Sequence, residues 1–184
     1  MDLTRSRLES AQRLTQLVGL DSQVSFQWGN ALDLPFPDAS FDVVMSQQAW
    51  CHVPDKPRLI GQCARVLKPG GVLAFTDILR TPALSADEVE RLGIEMIFND
   101  LGAFDQYLQL MRAQGFQIAH SEELGALWAQ ILVGRLAMYR GLQGTTASKF
   151  GDARRDQWDR YYSFFVGLYQ QGKLSGGRFV ARKT

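Results

Sequence analysis

A chain of 184 residues, 46% hydrophobic and 21% charged, has the composition of a globular protein and the length for a sizeable core. Its net charge of +1 gives no electrostatic case for nucleic acid or an anionic membrane surface as partner. Two cysteines, Cys51 and Cys63, make neither a disulfide framework nor a metal-ligand spacing, which points to a reducing, cytoplasmic setting; the polar, amphipathic opening reads as neither signal peptide nor membrane span.

The opening twenty residues predict a helix. Leu8, Ala11, Leu14, Leu17 and Val18 form its apolar stripe, Thr4 its cap and Gly19 its stop. Val24–Trp28 alternates as a strand does. Phe41–Met45 and Val72–Thr76 are short β-rich runs bounded by turn residues, and they read as buried strands. Between them Leu59, Ile60, Cys63, Val66 and Leu67 recur at helical spacing, with Asp55 as cap and Pro57 in the first turn. Lys68-Pro69-Gly70-Gly71 turns that helix into the second strand. Strand, helix and strand in so short a span form a parallel crossover unit. Gln47, Gln48 and His52 then lie past the carboxyl end of the first strand, and Asp77 ends the second. Ligands of open parallel sheets bind at that edge.

Beyond Asp77, Ser85 to Glu88 reads as a capping box ahead of a helix reaching about Phe98. Phe104, Tyr107, Leu108 and Met111 stripe the next helix, which Gly115 closes. Phe116–Ser121 reads as a strand. A long helix follows, with Leu124, Leu127, Trp128, Ile131, Leu132, Tyr139 and Leu142 turned inward. Another covers about Asp152–Tyr169, and Arg178–Arg182 closes the chain as a strand.

LPFPDASFDVV, then SQQAWCHVPDK, a helix closing in ARVLKPGG, and LAFTD together resemble the class I S-adenosylmethionine-dependent methyltransferases. The likeness is to their small-molecule branch, of the sarcosine/dimethylglycine N-methyltransferase or tocopherol C-methyltransferase kind. It implies an α/β, three-layer α/β/α Rossmann-like sheet whose last two strands are antiparallel. The helical insert within 78–175 would supply the acceptor pocket of one partial domain, 1–184. Family members begin with a strand, a GxGxG loop, a helix and a second strand ending in a ribose-binding acid. No GxGxG occurs here, and Met1-Asp2 falls where that second strand would end. The sequence therefore reads as an N-terminally truncated methyltransferase sheet lacking its first two strands. Binding of S-adenosylmethionine is expected to be weak or absent.

The same resemblance assigns the candidate residues. Asp2 matches the ribose-binding acid and Leu3 the apolar neighbour of adenine; the alternative for Asp2 is a frayed terminus. Asn30 and Ala31 match the adenine site, or a plain turn. Gln47 faces the methionine end or the acceptor, or is a satisfied strand end. His52 contacts cofactor or takes a proton from the acceptor, its ordinary pKa being near neutrality; the alternative is a cap for the helix beginning near Asp55. Asp77 caps a loop or touches acceptor. His120 and Cys63 read as structural, Cys51 as a half-buried filler. Trp128, Tyr139, Trp158, Tyr161, Tyr162, Phe164 and Phe165 make a core stripe or an aromatic site for a methylated ammonium. Arg135 and Arg140 pair an acceptor carboxylate or simply face solvent. Leu127 and Trp128 stand where glycine-type N-methyltransferases carry a His-Tyr pair, which weakens the case for an amino-acid acceptor.

Methyl transfer needs in-line positioning and water exclusion, and requires neither metal nor covalent nucleophile. The leading expectation is therefore transfer to a small-molecule amine (glycine- or sarcosine-like) or carbon nucleophile. The competing expectation is a non-enzymatic Rossmann-like remnant acting by self-association. A nicotinamide dehydrogenase has no dinucleotide fingerprint to support it. Phe41–Met45 would be left as an unpaired edge. It would be repaired either by Val24–Trp28 sliding alongside or by a second copy, so a homo-oligomer, most simply a dimer, is expected.

Overall fold

A computed structural model describes residues Met1–Thr184. Strands β1 (Phe41–Gln47), β2 (Leu67–Arg80), β3 (Phe116–Glu123) and β4 (Leu174–Lys183) form one sheet in the order β1-β2-β4-β3. β1 and β2 are parallel, with Val43 opposite Val72 and Gln47 opposite Thr76, as the crossover requires. β4 is antiparallel to both β2 and β3. The result is a mixed four-stranded sheet between helical layers.

Helix α2 (Lys56–Val66) joins the parallel strands. Asp55, at φ 65°, accepts the Arg58 N–H at 3.0 Å, and the helix buries Leu59, Ile60, Cys63 and Val66. The hook that follows needs its glycines. Gly70 has φ 76°, and a Cβ on Gly71 would lie 2.8 Å from the Lys68 carbonyl oxygen. Helix α4 (Phe104–Ala113) covers the same face of the sheet, so Tyr107 and Met111 join Leu73, Phe75 and Phe179 in one core. Helices α3 (Ala86–Met96), α5 (Gly125–Gly141) and α7 (Asp152–Gln170) lie in the other layer. There Leu92, Phe98, Phe165, Leu168 and Tyr169 pack on Ile78 and Leu174. The Ser85–Glu88 capping box opens α3 as expected. No helix is long and apolar enough to cross a membrane.

Several expectations need correction. Helix α1 (Arg5–Leu17) forms, but its stripe is not buried: Leu14, Leu17 and Val18 are exposed. Thr4 occupies the cap position without a side-chain bond, while its N–H donates to Asp2. Val24–Trp28 is not a strand. Only Trp28 makes a single parallel bridge, to Asp2, and its indole N–H donates to the Leu3 carbonyl. It does not pair with β1, whose outer edge stays open and whose Val43 and Met45 are 54% and 78% exposed. Cys51 is fully buried rather than half-buried. The long helix has no fully buried residue, and a further short helix, α6 (Gln143–Phe150), follows it.

Candidate functional site at the carboxyl edge of β1

Past Gln47 the chain turns through Gln48, at φ 50°, into a single 3-10 turn, Trp50–His52. Trp50 drops into the core against Phe75, with ring centroids 4.1 Å apart. Two residues on, past the buried Cys51, His52 is exposed at the sheet edge. Asp77 holds this turn from below. Its carboxylate accepts the Cys51 N–H at 3.0 Å and the Tyr107 hydroxyl at 2.7 Å. Asp77 is thus a buried capping group in the middle of β2, with no route to an acceptor. Burial raises its pKa against these two donors, and burial beside Asp77 raises that of Tyr107. Burial likewise pushes the Cys51 and Cys63 thiols up to about 12, so neither is a nucleophile.

Lys56 is the residue sequence reasoning missed. It is fully buried, and its ammonium donates to the carbonyls of Trp50, Val53 and Asp100 at 3.0, 2.6 and 2.6 Å. The Asp100 carboxylate lies 3.3 Å away. One side chain therefore ties the turn carrying His52 to the linker after α3. A lysine in the first turn of a helix ordinarily faces solvent, so nothing in the local pattern marked it.

His52 does not cap α2; Asp55 does. Its Nδ1 is 2.8 Å from the Ile97 carbonyl oxygen. A carbonyl only accepts, so Nδ1 donates to it and Nε2 is left without a protein partner. Gln47 is exposed and its side chain bonds nothing. Asp2 and Asn30 lie in one cluster, because the Gly29 N–H donates to the Asp2 carbonyl beside the Asp2–Trp28 bridge. Asp2 commits Oδ1 to the Thr4 N–H and keeps Oδ2 free. The Asn30 side-chain oxygen accepts the Leu32 N–H, leaving its amide N–H groups to donate. Leu3 is exposed and Ala31 half-buried. The cluster thus offers one free carboxylate oxygen that accepts and amide N–H groups that donate. Arg58 donates to the Leu32 carbonyl, which fixes this loop to α2.

Beside Gln48 lies a cavity of 330 Å³ walled by Ile78, Phe98, Trp128, Phe165 and Tyr169, with Arg135 its only charged residue. Gly176 makes room for Trp128: a Cβ there would lie 2.3 Å from the indole. A larger cleft of 860 Å³ adjoins it and shares Met96, Arg135 and Tyr162. The aromatic pattern of α5 and α7 is thus partly wall rather than core. Neither His52 nor Gln47 lines either cavity; Gln48 does. Arg140 instead pairs with Asp159 at 2.8 Å, joining α5 to α7, and His120 sits exposed beside Glu122.

Residues 1–75 match the model of the methyltransferase domain family. A 27-O-demethylrifamycin SV methyltransferase of Amycolatopsis mediterranei is 32% identical over 127 residues, 67% of this chain and 47% of that protein. A Galdieria sulphuraria protein assigned as a sarcosine dimethylglycine methyltransferase superposes with a TM-score of 0.89 at 23% identity, covering 100% of this chain and 68% of that one. A Haemonchus contortus phosphoethanolamine N-methyltransferase 2, solved with phosphomonomethylethanolamine and S-adenosylhomocysteine, gives 0.88 at 22% identity, over 99% of this chain and 42% of that one. The chain spans less than half the length of the curated relatives it matches.

Proposed function

From a chain whose residues 1–75 belong to the methyltransferase domain family and whose whole fold is that of class I S-adenosylmethionine-dependent methyltransferases, we propose a part in methyl transfer to a small, mainly apolar acceptor. A carbon nucleophile is favoured over a glycine- or sarcosine-like amine. The observation that carries this is the lining of the cavity beside Gln48: apolar and aromatic walls with one charge, Arg135. A zwitterionic amino acid needs partners for both its charges, and burying it there would leave its ammonium unpaired. Bound S-adenosylmethionine supplies the electrophilic methyl group. The chain's own residues do the rest. The free Oδ2 of Asp2 takes the ribose hydroxyls, Leu3 packs on adenine, and Asn30 with the Ala31 N–H meets the adenine edge. Gln47 orients the methionine end, and His52, whose Nδ1 is held by the Ile97 carbonyl, contacts the cofactor through Nε2.

Ultraviolet cross-linking of methyl-labelled S-adenosylmethionine, followed by peptide mapping, tests this placement. Label is expected on peptides carrying Asp2, Asn30 or Gln47–His52. Label confined to α5–α7 would contradict it.

A further inference from the structure

Two polar groups on the wall shared by the two cavities are left unpaired. Helix α5 carries Arg135 and Arg140. Arg140 is bound to Asp159, whereas Arg135 makes neither an ion pair nor a hydrogen bond. On α7 the Tyr162 hydroxyl makes no hydrogen bond either. That oxygen is open to solvent, because the buried side-chain atom left without a partner is Glu95 Oε2 alone. Arg135 is itself exposed. The two groups lie close enough to feel one another: burial raises the Tyr162 pKa, and the Arg135 charge opposes that rise. Both residues line the 330 Å³ cavity and the 860 Å³ cleft, so they stand where the two meet. No acid balances them there. Glu95 is the only acid on either wall, and its Oε1 is already bound to Arg91 at 2.9 Å.

We infer that Arg135 and Tyr162 form an anion site at this junction, and that the inner cavity takes a carboxylate with an apolar body and no amino group. The inference rests on the reading above only in taking that cavity as the acceptor pocket. A guanidinium and a phenol hydroxyl both donate, and together they offer a carboxylate a charge-assisted pair of hydrogen bonds. Inward of them Phe98, Trp128, Leu132 and Phe165 receive an aryl or alkyl body, with Gln48 at the far wall. The same geometry rejects other charge patterns. An ammonium would sit against a like charge. A zwitterion would carry its ammonium onto apolar walls with nothing to receive it. A diphosphate brings more charge than one guanidinium and one hydroxyl satisfy. Arg135 and Tyr162 are thus specificity residues and not catalytic ones.

The test is a titration of the chain, without cofactor, by 3-phenylpropionate, 3-phenylpropionamide, 3-phenylpropylammonium and inorganic pyrophosphate, followed by calorimetry and by tryptophan fluorescence, since Trp128 lies on the inner wall. 3-Phenylpropionate should bind about tenfold or more tightly than its amide, as for hydrogen bonds to a charged group. The ammonium should bind less tightly than either. Arg135→Gln exchanges two good helix formers at an exposed position, so the fold should hold. It should bring the carboxylate down to the level of the amide and leave the amide unchanged. Tyr162→Phe should weaken the carboxylate selectively. Arg154 lines the outer cleft alone, so Arg154→Gln should leave the preference intact. Equal binding of carboxylate and amide to the wild-type chain overturns the inference. So does a preference that survives Arg135→Gln or is lost in Arg154→Gln, tightest binding by the ammonium or by pyrophosphate, or no binding of any probe. Because this readout needs neither cofactor nor turnover, a failure of the methyl-transfer reading would appear in the cross-linking experiment and not here.

Discussion

Asp77 shows how much of the site is set by one residue that never touches a ligand. It receives the Cys51 N–H and the Tyr107 hydroxyl in a place water does not reach. Asp77→Ala would strand both donors and is expected to cost about 2–5 kcal/mol in denaturant unfolding. Asp77→Asn keeps an acceptor for Cys51 and can donate to Tyr107, so it should fold nearly as well. The pH dependence separates the two charge states. Burial raises the folded pKa above the unfolded value of about 3.9. The folded protein thus holds this proton more tightly than the unfolded chain. The resulting stability is fully present below the unfolded pKa and is lost as pH rises through the folded one. Wild type should therefore lose stability relative to Asp77→Asn as pH rises above about 4; a difference that does not change with pH would contradict this. Sequence placed Asp77 at a strand end and favoured a capping role. The role is visible in the structure, but its depth depends on Tyr107, thirty residues on, which no local pattern reveals.

At the scale of elements, the parallel unit β1–α2–β2 was legible because its signals are local: Asp55 and Pro57 start the helix, its apolar face repeats at helical spacing, and Gly70-Gly71 make the hook. What failed were features whose partners are distant or missing. Val24–Trp28 alternates, yet it makes one bridge and no ladder, since a strand exists only where a neighbour does. The α5 stripe reads as core, but part of it walls the two cavities. Lys56 went unread because its three carbonyl partners come together only in the fold. Lys56→Met should leave those carbonyls unpaired, detach the Asp100 linker from the His52 turn and lower stability by about 3–5 kcal/mol. Equilibrium unfolding checks the cost, and faster amide exchange at His52 and Asp100, whose N–H groups bond Ala49 and Cys51, checks its location. A change under about 0.5 kcal/mol, the range of ordinary surface substitutions, would show that the ammonium does not hold the linker.

The sheet of this chain presents an open edge. β1 has one neighbour, and Val43 and Met45 stand exposed beside unpaired backbone groups. Self-association across β1 is the expected cover, with light scattering giving a dimer mass and Val43→Lys with Met45→Lys returning a monomer; a wild-type monomer at high concentration would rule it out. Asp2, Leu3, Asn30 and Ala31 are proposed to hold the adenosine end of the cofactor, and calorimetric titration with S-adenosylhomocysteine tests this most directly. Saturable binding is expected, with a dissociation constant above the micromolar range, weakened about tenfold or more in Asp2→Ala, as for loss of a hydrogen bond to a charged group. Submicromolar binding, no binding, or identical isotherms for the wild-type chain and Asp2→Ala would contradict it.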